Sequence, residues 1–410
     1  MGWSSGTGGS KAMHDSRRKS RTLPVADARL AGESIQVTGI VQGVGFRPFV
    51  FRLAHRLRIT GWVANTVHGV KIQAEGRPEA LEAFVRNLRG QAPPIAVVQS
   101  VRRQRIEPQG HLSFTIVPST SASGRTTYIS PDVAVCGDCL AEMRDPADRR
   151  WRYPFINCTN CGPRYTIILD VPYDRASTTM ASFTMCDRCQ SEYDDPLDRR
   201  FHAQPNACPV CGPRCRLVGH RGEDVPLPEG LDPVQAAGRL LLEGAVLAVK
   251  GLGGFHLAVD ATNSGAAQPL RERKRRQDKP FAVMFESLET LGRYCRLNGK
   301  AAAELSGPCR SIVLLPKRHG RNTLVPAVAP FSSDYGALLP YMPLHHLLAE
   351  AVGGRPLVLT SGNLSDEPIE IDNQAALQNL AAVADYFLLH DRPIFLRADD
   401  SVVQCTAGGQ

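Results

Sequence analysis

Four Cys-x2-Cys pairs restrict the possible folds of this 410-residue chain more than any other feature. The pairs are Cys136 with Cys139, Cys158 with Cys161, Cys186 with Cys189, and Cys208 with Cys211. They form two halves offset by 50 residues, and 18 residues separate the two pairs within each half. Both halves also contain Asp-Pro-x-Asp-Arg-Arg and end in Cys-Gly-Pro-Arg. Self-similarity of this kind indicates a duplicated unit.

Thiolate pairs at this spacing are typical of metal ligands. Two pairs complete the four-sulfur set of a tetrahedral zinc site, which leaves no open position for chemistry. We therefore predict two structural zinc ions, each bound within one half, although the spacing leaves crossed pairing between the halves open. Iron–sulfur ligation is the alternative metal assignment. A redox role fits poorly, because four equivalent pairs do not resemble one reactive dithiol.

The rest of the chain is consistent with a reducing compartment. No apolar run approaches the ~20 residues of a membrane helix, and TLPVADARLAGE follows the basic SRRKSR stretch (16–21) where a signal peptide would be apolar. We expect a cytoplasmic protein whose cysteines bind metal. The net charge of +8 is partly carried by residues 1–33, which contain six Lys or Arg and three Asp or Glu. Two zinc–thiolate sites would offset half of that excess, so nucleic acid is not an expected partner.

An anion-binding turn is predicted near the start of the folded chain. The alternating run SIQVTGIV (34–41) predicts a strand, and the turn Gly43, Val44, Gly45 and Phe46 then leads into a helix. Such a turn directs several backbone N–H groups at one point. Arg47 lies within it and can place two N–H donors on phosphate oxygens. Taken alone, the motif is equally consistent with a tight turn carrying a surface arginine.

The following elements extend this pattern. A hairpin over 61–74, a helix over 78–88 and extended segments near 95–105 and 111–117 give the order β-α-β-β-α-β of a ferredoxin-like fold. The motifs VxGxVQGVGFR and GWVxNxxxG closely resemble the acylphosphatase family over about 85 residues. The resemblance implies that Arg47 binds phosphate and that Asn65 orients the attacking water. An acyl phosphate is already activated, so placement and charge stabilisation suffice.

A second phosphate-binding region is predicted in the C-terminal part. LRERKRRQDKPFAVM (270–284) is the most basic run of the folded chain, and it leads into an apolar strand. Its cations Lys274, Arg276 and Lys279 either converge on a polyphosphate or form a solvated helix face. VLTSGNLSDEPI (358–369) places small polar side chains at the end of another buried strand, which suits a nucleotide site.

These motifs, in this order with GPCRSIVLLP (307–316), resemble the YrdC-like domain, a twisted α/β sheet with a nucleotide-binding cavity. The resemblance implies that Lys274, Arg276 and Lys279 bind phosphates. It also implies that Ser311, Ser361 and Asn363 contact the nucleotide or a carbamoyl group, with Arg392 and Arg397 as further cavity residues. The adjacent His345 and His346 are assigned to the core or the surface, and the single cysteines 215, 295, 309 and 405 to ordinary positions.

The cysteine spacing and Cys-Gly-Pro-Arg tails resemble the zinc-finger pair of the hydrogenase-maturation carbamoyltransferases, the HypF family. We therefore predict an α+β and α/β multidomain chain. Its parts are a disordered basic tail (1–32), a ferredoxin-like acylphosphatase domain (33–118), a double zinc-finger domain with two four-cysteine sites (130–216) and a YrdC-like nucleotide-binding domain (228–410).

The resemblance implies a two-step activation of a carbamoyl group. Carbamoyl phosphate is hydrolysed in the first domain, and the carbamate reacts with Mg-ATP in the third to give carbamoyl-adenylate and pyrophosphate. A partner protein accepts the carbamoyl group on its C-terminal cysteine, toward the cyanide ligands of [NiFe]-hydrogenase. The family carries a further C-terminal transfer domain with a metal site, whereas this sequence ends at DDSVVQCTAGGQ. We therefore expect a fragment or short form that activates the group without transferring it.

Two other functions remain open on sequence grounds. YrdC-like domains also act as threonylcarbamoyl-adenylate synthases for tRNA modification. A zinc-binding adaptor for RNA or protein, without enzymatic activity, is the second alternative.

Overall fold

The computed structural model describes residues 30–93, 95–119, 129–318, 320, 323–364 and 367–405, so most of the predicted basic tail lies outside the described residues. The α-helices are α1 Phe46–Arg56, α2 Pro78–Gly90, α3 Gly137–Arg144, α4 Asp187–Asp194, α5 Pro233–Leu242, α6 Ser264–Arg273, α7 Leu288–Gly292, α8 Gly299–Ser306, α9 Pro343–Ala351 and α10 Asn373–Asn379. The strands are β1 Ala31–Ile40, β2 Thr60–Thr66, β3 Gly69–Gly76, β4 Val97–Ile106, β5 Phe114–Ile116, β6 Cys215–Gly219, β7 Leu247–Lys250, β8 Phe255–Asp260, β9 Ala282–Met284, β10 Ile312–Pro316, β11 Asp334–Leu338, β12 Leu357–Ser361, β13 Tyr386–His390 and β14 Val402–Val403. No described helix is both long enough and apolar enough to cross a membrane.

The first sheet confirms the ferredoxin-like prediction. Its strands lie in the order β4-β1-β3-β2-β5, antiparallel except for the β2–β5 pair. Because side chains alternate along β1, Ile35 and Val37 lie in the same core. That core also contains Val50 of α1 and Phe84 of α2. Because both helices pack on the same core, the β1–α1 turn is held at the end of the sheet.

Between the two sheets, the cysteine repeat forms a compact unit with little regular structure. The helices α3 and α4 each begin one residue after the first cysteine of a pair, with Cys136 and Cys186 as their N-caps. Strand β6 begins at Cys215, directly after the second Cys-Gly-Pro-Arg tail, and pairs with β13 of the second sheet. The repeat is therefore continuous with the second sheet through β6.

The second sheet confirms the predicted twisted α/β architecture of the C-terminal part. Nine strands lie in the order β14-β10-β11-β9-β12-β8-β7-β13-β6, with parallel and antiparallel neighbours. Residues of β7 alternate between its two faces: Ala248 belongs to one apolar cluster, and Leu247 and Val249 belong to the other. The second cluster also contains Met143 and Phe155 of the cysteine repeat. This shared core fixes the repeat against the sheet.

The start of α5 illustrates how local sequence places these elements. Asp232 accepts hydrogen bonds from the backbone N–H groups of Val234 and Gln235, and the Gln235 side chain accepts one from the Asp232 N–H. This capping box, with Pro233 in the first turn, fixes the start of α5.

Candidate active sites and metal centres

The eight paired cysteines form two clusters, and each cluster is confined to one half of the repeat. One contains Cys136, Cys139, Cys158 and Cys161, and the other contains Cys186, Cys189, Cys208 and Cys211. Neighbouring sulfur atoms lie 3.6–3.9 Å apart in both clusters. Sulfurs bound at ~2.3 Å to one tetrahedral ion would lie about 3.8 Å apart, so both clusters fit zinc without rearrangement. The four sulfurs of each half therefore cluster together, and no described cluster crosses between the halves.

Arginines of each half reach the cluster of the other half. Arg199, from the second Asp-Arg-Arg segment, donates to Cys139 Sγ at 3.0 Å and to Glu142 at 2.8 Å. Arg149, from the first segment, donates to Cys189 Sγ at 3.3 Å and pairs with Glu192 at 2.7 Å. Cationic N–H donors on thiolates offset the charge of a four-thiolate site and orient its ligands. The repeated Asp-Arg-Arg segments thus connect the two clusters reciprocally.

The carboxylates in this arrangement are held ionised. Burial disfavours the charged form of Glu192, but hydrogen bonds from Arg150 and Arg149 outweigh this effect and lower its pKa to about 2. Burial likewise opposes ionisation of Glu142, and Arg199 and Arg200 nonetheless lower its pKa. The charge network therefore persists at neutral pH.

The predicted phosphate loop has the backbone that its glycines suggest. Gly43 and Gly45 have φ values of 70° and 73°, in the left-handed region that favours glycine. A Cβ on Gly45 would also lie 2.8 Å from Thr159 Cγ2 of the cysteine repeat. The loop thus requires glycine both for its conformation and for the close approach of its neighbour.

Arg47 and Asn65, which the sequence assigns to catalysis, converge on one atom. Both side chains are buried, and both donate to the carbonyl oxygen of Tyr173 at 3.2 Å. Arg47 Nη2 also lies 2.7 Å from Asp174 Oδ1, while Asn65 Oδ1 is buried without a hydrogen-bond partner. Proximity of the pair was expected; its contact with the cysteine repeat was not predicted from the sequence.

A small cavity of about 20 Å³ remains beside these residues. Loop residues and the cysteine repeat line it together, with Thr159, His202 and Gln204 on the repeat side. Burial, with a smaller contribution from Arg47, lowers the pKa of His202 to about 4, so the imidazole is neutral at pH 7. The volume holds about one water molecule, so binding of a phosphate ligand requires the side chains around Arg47 to rearrange.

The C-terminal part contains a larger cavity, of about 420 Å³, lined by residues of six neighbouring strands of the second sheet, from β14 to β8. Arg276, Lys279 and Ser361 line it, three of the six residues that the sequence assigns to nucleotide binding. Arg276 is fixed by bonds to the Pro280 carbonyl (2.8 Å) and to Thr360 Oγ1 (3.2 Å). Burial, with a smaller effect of Arg271, lowers the pKa of Arg276 to about 10.

Lys274 is buried behind this cavity. Its ammonium group donates to the carbonyl oxygens of Ser361 and Asn363, both at 2.6 Å, and to Asn363 Oδ1 at 2.7 Å. Burial and the charges of Arg276 and Lys279 lower its pKa to about 7. In this conformation Lys274 is therefore hydrogen-bonded to the Ser361–Asn363 segment.

The remaining predicted site residues lie elsewhere among the described residues. Ser311 donates to Glu304 at 2.7 Å and does not line the cavity. Arg392 is buried over the ring of Phe155, and its Nε and Nη2 have no hydrogen-bond partner. Arg397 is exposed and His345 is fully buried. The roles assigned to these residues from sequence stay predictions.

Sequence reasoning missed a buried polar group beside the cavity. His256 Nε2 lies 3.2 Å from Asp400 Oδ2 and 3.4 Å from the Tyr341 hydroxyl. Burial opposes ionisation of Asp400, yet the bond from His256 lowers its pKa. His256 lines the 420 Å³ cavity, Tyr341 lines a neighbouring one of about 310 Å³, and Asp400 lines both. The motifs GGFHL and DDSV contain two of these residues, but only the fold brings them together.

A succession of cavities runs from Arg47 toward this group. The small cavity shares Gly43, Arg164 and Tyr173 with a neighbour of about 10 Å³, and Ile129 lines both that neighbour and the 310 Å³ cavity. The 310 Å³ cavity in turn shares Asp399 and Asp400 with the 420 Å³ cavity. Residues of the cysteine repeat form part of the lining of both intermediate cavities.

Comparison with known proteins identifies three family matches along the chain. The family described as "Acylphosphatase" matches residues 33–116, the "HypF finger" matches residues 135–168 and 185–218, and the "Telomere recombination" family of Sua5, YciO and YrdC matches residues 239–410.

Longer relatives match nearly the whole chain. "Carbamoyltransferase HypF2" of Cupriavidus necator is 49% identical over 385 residues, which is 90% of this chain and 47% of that protein. "Carbamoyltransferase HypF" of a Synechocystis species is 48% identical over 92% of this chain and 48% of its own length. A crystal structure of full-length HypF in the phosphate- and nucleotide-bound form superposes with a TM-score of 0.88 at 44% identity, covering 92% of this chain and 49% of that one. The chain thus spans about half the length of the relatives that it matches.

Proposed function

The chain belongs to the carbamoyltransferase HypF family, and on that premise we propose that it hydrolyses carbamoyl phosphate beside Arg47 and activates the released carbamate with ATP in the 420 Å³ cavity. The observation that carries the proposal is the succession of cavities between the two sites. Carbamate decomposes readily in water, so a route enclosed by protein would protect it. Two unrelated hydrolytic and nucleotide sites would not need such a route.

In the first step, a phosphate group takes the place of the Tyr173 and Asp174 oxygens at the Arg47 guanidinium. Backbone N–H groups of the loop from Gly43 to Phe46 surround its oxygens. Asn65 orients a water molecule whose oxygen attacks phosphorus. The phosphorus–oxygen bond to the carbamoyl group then breaks, and carbamate departs with the bonding electrons. Arg47 offsets the charge that develops on the phosphoryl oxygens.

In the second step, a carbamate oxygen attacks the α-phosphorus of ATP. The bond between the α-phosphorus and the bridging oxygen breaks, so that carbamoyl-adenylate and pyrophosphate form. Arg276 and Lys279 line the cavity and offset charge on the phosphates. Mg²⁺ bound to the triphosphate supplies further charge neutralisation. Lys274, buried behind them, holds the Ser361–Asn363 backbone in place.

The relatives are about twice as long as this chain, so the later steps of the pathway are also proposals. We propose that the carbamoyl group finally reaches the C-terminal cysteine of a hydrogenase-maturation partner, as the resemblance implies. That transfer contributes toward cyanide ligands of [NiFe]-hydrogenase. Neither step is assigned to described residues of this chain.

The test is release of AMP and pyrophosphate from Mg-ATP, with and without carbamoyl phosphate. The unaltered chain is compared with Arg47→Ala and with Arg52→Ala, an exposed arginine on the same helix. We expect carbamoyl-phosphate-dependent release that Arg47→Ala abolishes and Arg52→Ala retains. Phosphate release without AMP would show that the chain acts only as an acylphosphatase. AMP formation driven by threonine and bicarbonate instead would assign it to tRNA modification.

A further inference from the structure

The Tyr173–Asp174 segment of the cysteine repeat occupies the site to which the first reaction is assigned. Its Tyr173 carbonyl accepts from Arg47 and from Asn65, both at 3.2 Å, and its Asp174 carboxylate lies 2.7 Å from Arg47. A stand-alone domain of residues 33–116 would have no such groups. We propose that these two acceptors make the site selective for a carbamoyl group over acyl groups that carry no N–H, an inference that rests on the proposed function.

The segment is held in place independently of Arg47. The Tyr173 N–H donates to Gln42 Oε1 at 3.0 Å, and its phenolic hydroxyl donates to the Pro163 carbonyl at 3.3 Å. Ser119 Oγ donates to the second carboxylate oxygen of Asp174. The acceptors therefore stay at the site when the Arg47 guanidinium turns toward a phosphate.

Phosphate binding draws the Arg47 donor away from both acceptors, and Asn65 Nδ2 remains on the Tyr173 carbonyl. Arg47 is buried, with 8% of its side chain exposed, and both contacts to the segment use Nη2, which cannot donate at full strength to a phosphoryl group and to the segment together. An acceptor that loses a donor disfavours the bound state, and a carboxylate that has lost its cationic partner beside a phosphate adds charge repulsion. The ligand itself must supply the missing donor.

Carbamoyl phosphate carries that donor and acetyl phosphate does not. The carbamoyl NH₂ has two N–H groups on the carbon where acetyl phosphate has a methyl group of similar size. Sites built to hydrogen-bond a substrate N–H discriminate strongly against analogues that lack it, because the protein groups are left unpaired. Size exclusion cannot separate these two ligands, whereas the Tyr173 and Asp174 oxygens can.

The inference predicts a ratio of two rates measured on the full chain. We expect kcat/KM for phosphate release to be at least ~10-fold higher with carbamoyl phosphate than with acetyl phosphate. Asp174→Ala should lower that preference by about 10-fold, chiefly through faster acetyl phosphate hydrolysis. Asp174→Asn keeps one acceptor oxygen and should retain an intermediate preference. Zinc content and circular dichroism verify that each variant is folded.

Three outcomes would overturn the inference or its premise, and they are distinguishable. Equal hydrolysis of both substrates by the unaltered chain would refute the selectivity alone. A rise of both rates together in Asp174→Ala would show that the carboxylate is only a competitor for Arg47. Hydrolysis of neither substrate would refute the proposed function itself. If Asp174→Ala does not fold, Ser119→Ala, which frees the same carboxylate, carries the comparison.

Discussion

Arg164 and Arg214 occupy the same position of the repeated Cys-Gly-Pro-Arg tail but make different contacts. Arg164 is buried and donates to the Gly43 carbonyl at 2.6 Å and to the Thr159 carbonyl at 2.8 Å. Arg214 is exposed, and its backbone N–H donates to Asp391 at 2.7 Å. The two halves thus contain similar four-cysteine clusters, and the first half also contacts the loop from Gly43 to Phe46.

This asymmetry makes a prediction with its own control. Arg164→Met should lower carbamoyl phosphate hydrolysis at least ~10-fold, because the Gly43 carbonyl loses its donor and the loop loses its support. Arg214→Met changes the equivalent residue of the repeat and should leave that rate within about twofold. Steady-state phosphate release measures both. Equal losses of phosphate release in the two variants would contradict the prediction, because they would indicate a general effect on the cysteine repeat.

The reciprocal contacts between the two cysteine clusters predict a long-range effect on metal retention. Arg199→Met should speed the loss of zinc from the Cys136 cluster, although Arg199 belongs to the other half. Loss of an outer-shell donor typically costs 10- to 100-fold in metal affinity. Competition with a chromogenic chelator measures the rate at which the two zinc ions are released. Arg188→Met, an exposed arginine in a knuckle of the second half, is the matched control and should release zinc at the unaltered rate.

Nucleotide binding should be linked to proton uptake by Lys274. Its pKa, lowered to about 7 by burial and by Arg276 and Lys279, should rise when an anion offsets those two charges. Affinity for a non-hydrolysable ATP analogue should therefore be highest below pH 7 and fall as pH rises above it. At pH 7.5, uptake of up to about 0.8 proton is expected. Calorimetry in buffers of different ionisation enthalpy measures it. Persistence of the same uptake in Lys274→Met would contradict the assignment.

His345 should make the fold sensitive to acid. Burial, and secondarily His256, lowers its pKa to about 3, whereas the unfolded chain titrates near 6.5. The unfolded state therefore binds more protons between these values, and stability falls as pH decreases from 6.5 toward 3. From pH 7 to 4.5 this one group contributes a loss of about 2 kcal/mol. Denaturant unfolding should show a smaller loss in His345→Leu. The exposed His220→Leu should behave like the unaltered chain, and an equal acid sensitivity in all three would contradict the prediction.

Much of the architecture follows from short stretches of sequence. The cysteine spacing limits each thiolate pair to one metal, and the glycines at 43 and 45 specify the left-handed turn that precedes α1. The Asp232 capping box fixes the start of α5 in the same way. Each of these signals is complete within a few residues, because ligand bite, turn geometry and helix capping are local interactions.

The contacts that complete the sites are not local. Tyr173 reaches Arg47 across 126 positions of sequence, and His256 reaches Asp400 across 144. No periodicity or spacing encodes such a contact, since it depends on how separately formed units pack through apolar surface. The contacts of Lys274 were also not predictable from local sequence. The sequence predicts that this lysine binds phosphate, and the fold places its ammonium group on the carbonyl oxygens of Ser361 and Asn363.

The sequence by itself determined which chemical groups this protein carries: two four-thiolate clusters, a glycine–arginine anion loop and a basic run before a strand. Tertiary structure alone decided that the four sulfurs of each half cluster together and that the cysteine repeat supplies one wall of the Arg47 site. The physical reason is range. Ligand spacing and backbone preference act over a few residues, whereas the burial of shared apolar surface brings distant segments together and so selects which polar groups meet.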